Sequence, residues 1–146
     1  MKGYPKWFTA GVISLVLGIL YVSGIFLMPT TLENHLQLDV PWRLGAEVRI
    51  GVAALHALFA FLVLGLLGAL WSIHMRSEWK KGGNRTSALT MLFLFVCLVI
   101  TGIGIYYIGE GNLASWASLI HLGTGLLLAG PYLWHTFIFK RASYKK

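Results

Sequence analysis

Four apolar stretches, at 7–28, 50–73, 87–107 and 113–139, take up most of the chain and leave little sequence for anything else. A hydrocarbon core about 30 Å thick is crossed by roughly 20 apolar residues of helix, and each stretch meets that length. In lipid every backbone N–H and C=O must be satisfied within the structure itself, so all four are expected to be α-helices. The expected fold is an all-α membrane protein, a four-helix transmembrane bundle forming a single transmembrane domain over 1–146. Composition agrees. Of 146 residues 57% are apolar and 12% charged, where a water-soluble domain carries about 45–50% and about 25%. The first stretch has no small-x-small cleavage pattern before Pro29 and is too long for a leader, so it reads as a retained helix.

Twelve Lys and Arg stand against five Asp and Glu. Elsewhere such an excess would suggest nucleic acid; here membrane topology accounts for it and no nucleic-acid partner is expected. Lys2 and Lys6, then Arg76, Lys80, Lys81 and Arg85, then Lys140, Arg141, Lys145 and Lys146 fall on one side. Glu33, Asp39, Glu47 and Glu110, with Arg43 and Arg49, fall on the other. The positive-inside rule then makes both termini cytoplasmic. Trp7, Trp42, Trp71, Trp79, Trp116 and Trp134, with Tyr106 and Tyr107, lie near span ends, where amphipathic rings anchor at the interface. Pro29 and Pro41 bracket much of an outer loop of about twenty residues, longer than a minimal connection. It is read either as a plain connection or as a docking surface.

Cys97 is the one cysteine, which rules out an intramolecular disulfide and a cysteine-bound cluster. Any metal cofactor must therefore use histidine. Four of the five histidines lie in or at the ends of two spans, His56 and His74 in the second, His121 and His135 in the fourth. Ionisable groups at membrane depth are costly and face a partner, a cavity or a cofactor. The step from His56 to His74 is five whole turns, about 27 Å. That from His121 to His135 is about 21 Å and returns within about 40° of the same face. Each helix thus shows two histidines to one side. Helices two and four run in the same direction, with His56 and His121 at similar depth near the outer face and His74 and His135 near the cytoplasmic ends. Facing each other, they offer two imidazole pairs, each suited to grip a haem iron from both sides.

Gly65 and Gly68 in the second span, and Gly123, Gly125 and Gly130 in the fourth, leave shallow walls for a porphyrin, although glycine is also common at ordinary helix contacts. Arg49 or Arg43 outside, and Arg76, Lys80, Arg85, Lys140 or Arg141 inside, can meet haem propionates. The two histidine steps differ by about 6 Å of rise, which a kink at Gly130-Pro131 or a greater tilt of the second helix would absorb. A faint repeat runs through the chain: Val22-Ser23-Gly24-Ile25 in the first span matches Ile100-Thr101-Gly102-Ile103 in the third, each followed by an outer loop and a helix with two histidines.

On the paired-ligand spacing of His121 and His135, with thirteen residues between them, and on the four spans, the chain resembles the small four-helix b-type cytochromes of bacterial respiratory membranes. These form the superfamily of the cytochrome b subunits of formate dehydrogenase and Ni,Fe-hydrogenase. The resemblance covers essentially the whole chain. It implies a multi-pass protein of the bacterial inner membrane carrying two b haems, one near each face, and passing electrons between a quinone pool and a periplasmic or membrane redox partner. It assigns His121 to the outer haem and His135 to the inner one, with His56 and His74 as their second ligands. Tyr106, Tyr107 and Glu110 are candidates for the quinone site. One departure is plain: many relatives take a ligand from the first helix, and 7–28 contains no histidine. In ligand layout alone the chain is similar to the larger cytochrome b of quinol:cytochrome c oxidoreductases.

Two other classes compete. A cofactor-free structural or assembly subunit would keep the histidines as neutral hydrogen-bonding groups between helices. A divalent-metal or proton transporter would normally add carboxylates, which the spans lack. Copper bound by histidine with Met28, Met75 or Met91 is chemically open, but those methionines are scattered. The outer-loop His35 is expected to be dispensable for haem.

Overall fold

The computed structural model describes residues 11–71, 79, 85–109 and 111–143, with only the backbone from 135 onward. Four helices are present: α1 (Ile13–Leu36), α2 (Ala46–Leu70), α3 (Arg85–Tyr107) and α4 (Asn112–Ser143). No strand occurs among the described residues. All four helices are long and apolar enough to cross a membrane, and the chain is a multi-pass, all-α membrane protein. It divides into two compact units, Met1–Gly83 and Asn84–Lys146. Each contains one helical hairpin, α1 on α2 and α3 on α4.

Each hairpin closes on a narrow seam. In α1 the buried residues are Val16, Ser23 and Pro29; Val16 and Ser23, seven residues apart, share one stripe, while Pro29 is turned about 120° from Ser23. Val63 is the buried residue of α2, seven residues after His56 and so on the same stripe. In the second hairpin Ala117 and Leu128 of α4 are buried, eleven residues apart and again on one stripe. There α3 and α4 approach closely: a Cβ placed on Gly104 would sit 3.2 Å from the Ala117 Cβ, a contact of small residues of the kind that lets membrane helices pack without a hydrophobic drive. Outside the seams large apolar side chains are exposed, Phe61 by 72% and Leu127 by 67%. Such surfaces suit hydrocarbon.

Of the boundaries that differ from the sequence expectation, two shape the outer connection of the first hairpin. First, α1 does not stop at Met28 but runs through Pro29 to Leu36, so the outer connection shrinks to 37–45. Proline removes a single N–H bond, and membrane helices tolerate it where neighbours cover the freed group; here the Pro29 side chain is fully buried. The helix ends instead at Gln37, which is left-handed (φ 53°) and sends its N–H back to the Glu33 carbonyl. Second, α2 begins at Ala46, after an extended Gly45, with Glu47 in its first turn, where a carboxylate complements the helix dipole. The connection folds back on α1: Arg43 donates to the Glu33 carboxylate at 2.6 Å, and the Trp42 ring stands edge-on to Phe26 with centroids 6.2 Å apart.

Candidate functional site: a histidine held in each hairpin

His56 lies ten residues into α2 and His121 nine residues into α4. At 1.5 Å per residue both are about 14 Å from the start of their helices, deeper along the helix than the sequence boundaries suggested. Each is half-buried on the seam of its own hairpin, where it meets a hydroxyl from the preceding helix. The His56 Nδ1 is 2.9 Å from the Ser23 Oγ. The His121 Nδ1 is 3.0 Å from the Thr101 Oγ1.

Ser23 Oγ is also 3.0 Å from the Leu20 carbonyl, and Thr101 Oγ1 is 2.7 Å from the Cys97 carbonyl and 3.3 Å from that of Leu98. A carbonyl can only accept, and a hydroxyl has one proton to give. With that proton donated back along its own helix, a common habit of Ser and Thr in helices, the hydroxyl oxygen is left to accept from the imidazole. In the tautomer with its proton on Nδ1 each ring donates to that oxygen, and His56 also hydrogen-bonds the Leu20 carbonyl. This is the tautomer in which a histidine ligates a metal through Nε2 while a second group orients the ring.

A glycine follows each hydroxyl residue and the imidazole lies against it. A Cβ built on Gly24 would stand 3.2 Å from the His56 Cε1, and one on Gly102 would stand 3.4 Å from the His121 Cε1. Hydroxyl and glycine together form the same cradle twice. Its members are the Ser23-Gly24 and Thr101-Gly102 pairs of the internal repeat, so the repeat extends from sequence to side-chain geometry. The spacing of histidines alone did not assign these four residues a role at the site; the short repeat was the signal that marked them.

An apolar groove of about 480 Å³ runs along the first hairpin, lined by Ser14, Gly18, Val22, Ser23, Phe26 and Val52 among others. Ser23 thus belongs both to the groove wall and to the His56 cradle. Arg49 is half-buried in the first turn of α2. It precedes His56 by seven residues and therefore shares its face. Arg43 is engaged by Glu33. The glycines expected to wall a porphyrin divide: a Cβ on Gly65, Gly68, Gly123 or Gly130 would touch nothing within 4 Å, while one on Gly125 would reach Leu98 at 3.9 Å. His74, Arg76 and Glu110 lie outside the described residues, as does the side chain of His135, whose backbone is helical. Tyr106 and Tyr107 are exposed at the end of α3, Tyr107 by 85%. No family model, curated protein or solved structure matches the chain.

Proposed function

We propose that this protein is a b-type cytochrome subunit of the bacterial inner membrane, passing electrons between a quinone pool and a redox partner. The observation that carries the reading is the pair of histidines, each well inside an apolar helix with its Nδ1 in hydrogen-bond contact with a hydroxyl of the preceding helix. An iron porphyrin supplies its own four equatorial nitrogens and asks the protein only for axial ligands. His56 and His121 are the proposed ligands of an outer haem b, and His74 and His135 those of an inner one. When bound, haem supplies the one-electron couple. The groove beside Ser23 falls within the size range of cofactor sites, about 300–1,000 Å³, and its apolar lining suits a macrocycle. Arg49, two turns before His56 on the same face, is suited to an anionic propionate, a role given on the inner side to Arg76.

A second reading is favoured by the same hydrogen bonds. In a cofactor-free structural or assembly subunit, a neutral histidine bonded to a hydroxyl across a helix seam would serve as glue between α1 and α2 and between α3 and α4. A dithionite-reduced minus oxidised spectrum of membranes from haem-supplied cells separates the two. The cytochrome reading expects a sharp α band, lost in part in His56→Ala and in His121→Ala and kept in full in His35→Ala. A wild-type chain without that band leaves the structural reading standing.

A further inference from the structure

We propose that the connection of the first hairpin, 37–45, is an interfacial strap whose alternate apolar residues bed into the headgroup layer of a lipid surface. The inference concerns this hairpin alone and stands apart from any cofactor. From 36 to 44 the chain alternates without a break: Leu36, Leu38, Val40, Trp42 and Leu44 take the even positions, and Gln37, Asp39, Pro41 and Arg43 the odd ones. In an extended chain a period of two sends such sets to opposite sides. The connection contains no helix or strand, and the hairpin leaves much of the apolar set uncovered. Leu36 is 46% exposed, Leu38 50% and Trp42 40%, with Val40 and Leu44 half-buried.

Two pins set where this row lies. Arg43 is tied to Glu33, and the Trp42 ring reaches Phe26, which lies ten residues, about 15 Å, back along α1 from Leu36. The strap therefore lies back along the helix, and its apolar row runs on into the exposed face of Val22, Ile25 and Phe26, the face that a spanning helix turns to lipid. Depth follows from two opposing demands. Among the described residues 39–44 make no backbone–backbone hydrogen bond, so the strap cannot sink into hydrocarbon, where those groups would go unmet. Water, in turn, is a poor surrounding for a row of large apolar side chains. The headgroup layer satisfies both, wetting the backbone while accepting Leu38 and the amphipathic Trp42 ring. With Arg43 paired, the strap has no basic excess to draw it to anionic lipid. Apolar contact holds it, and an uncharged lipid surface suffices.

The test is site-directed spin labelling of the full-length protein in phosphatidylcholine vesicles, with Cys97→Ala removing the native thiol. Collisions of each label with oxygen, which concentrates in lipid, are compared with collisions with a water-soluble nickel chelate. Leu38→Cys and Asp39→Cys place the label on neighbouring residues, and Phe61→Cys, at a 72% exposed position of α2, is the lipid reference. The ratio of oxygen to nickel collisions is expected to be several-fold higher at 38 than at 39, and lower at both than at 61. Leu36→Cys and Gln37→Cys repeat the comparison, so that either pair decides if the other fails to insert. Equal, water-like ratios at 38 and 39 overturn the proposal and leave the apolar row to a protein partner. Ratios at 38 and 39 that both match the one at 61 overturn it as well, since the whole strap would then be sunk in hydrocarbon.

Discussion

At Gly24 the space between a helix backbone and an imidazole is tight for a methyl group, and how far the ring can give decides how the site responds to change. A Cβ there would press on the His56 Cε1 at 3.2 Å. Alanine improves helix propensity by about 1 kcal/mol over glycine, whereas forcing extra volume into a packed contact costs about 1–3 kcal/mol. Gly24→Ala is therefore expected to be destabilising on balance and to displace His56. Gly102→Ala, with 3.4 Å to the His121 ring, makes an ordinary contact and should be close to neutral. Gly51→Ala is the control: nothing lies within 4 Å of its Cβ, so it should gain up to about 1 kcal/mol of stability. Thermal unfolding in detergent orders the three variants, and a Gly24→Ala protein as stable as Gly51→Ala would contradict the cradle. At this scale the histidines were legible in the sequence because an ionisable group in an apolar run is conspicuous. Ser23 and Thr101 were not, since a hydroxyl that bonds its own helix costs little in lipid and is unremarkable. Only the turn of one helix against another decides whether it also reaches a neighbour.

Helix ends were the least legible elements, for a reason visible at Pro29. Proline usually marks a stop, and Thr30, Thr31, Glu33 and Asn34 look like loop residues. Yet a frayed backbone near hydrocarbon leaves polar groups unmet, and the proline ring is buried. The helix accordingly continues to a residue that must turn left-handed, and Gln37 takes φ 53° there without being glycine. A left-handed side-chain-bearing residue costs about 1–2 kcal/mol, against which glycine loses about 0.4–1 kcal/mol through a freer unfolded chain. Gln37→Gly is thus expected to stabilise the protein by up to about 1 kcal/mol, read as a higher midpoint of thermal unfolding; a lower one would mean that Gln37 holds the cap by its side chain. The start of α2 carried a clearer signal, Gly45 followed by Glu47, a helix-entry pattern that hydropathy alone passes over.

Taken whole, the molecule has very little interior. The described buried hydrophobic residues are five, Val16, Val63, Phe95, Ala117 and Leu128, too few for a chain this size to hold its shape in water. Such exposed apolar helix faces suit an apolar surrounding, and this much the hydropathy pattern showed directly. Orientation is read from charge alone: with Lys and Arg gathered at the termini and in 76–85, the positive-inside rule predicts that a fluorescent protein fused after Lys146 glows and that alkaline phosphatase fused after Asp39 is active. The reverse pattern would invert the chain and exchange the inner and outer haem assignments. One consequence concerns how such a protein is made. In both hairpins the hydroxyl precedes the histidine in the chain, Ser23 before His56 and Thr101 before His121. As synthesis proceeds, the hydroxyl partner thus precedes each imidazole into the membrane. Neither ring need enter the fatty acyl phase alone, so each helix pair can be released to the bilayer as a finished piece before any cofactor arrives.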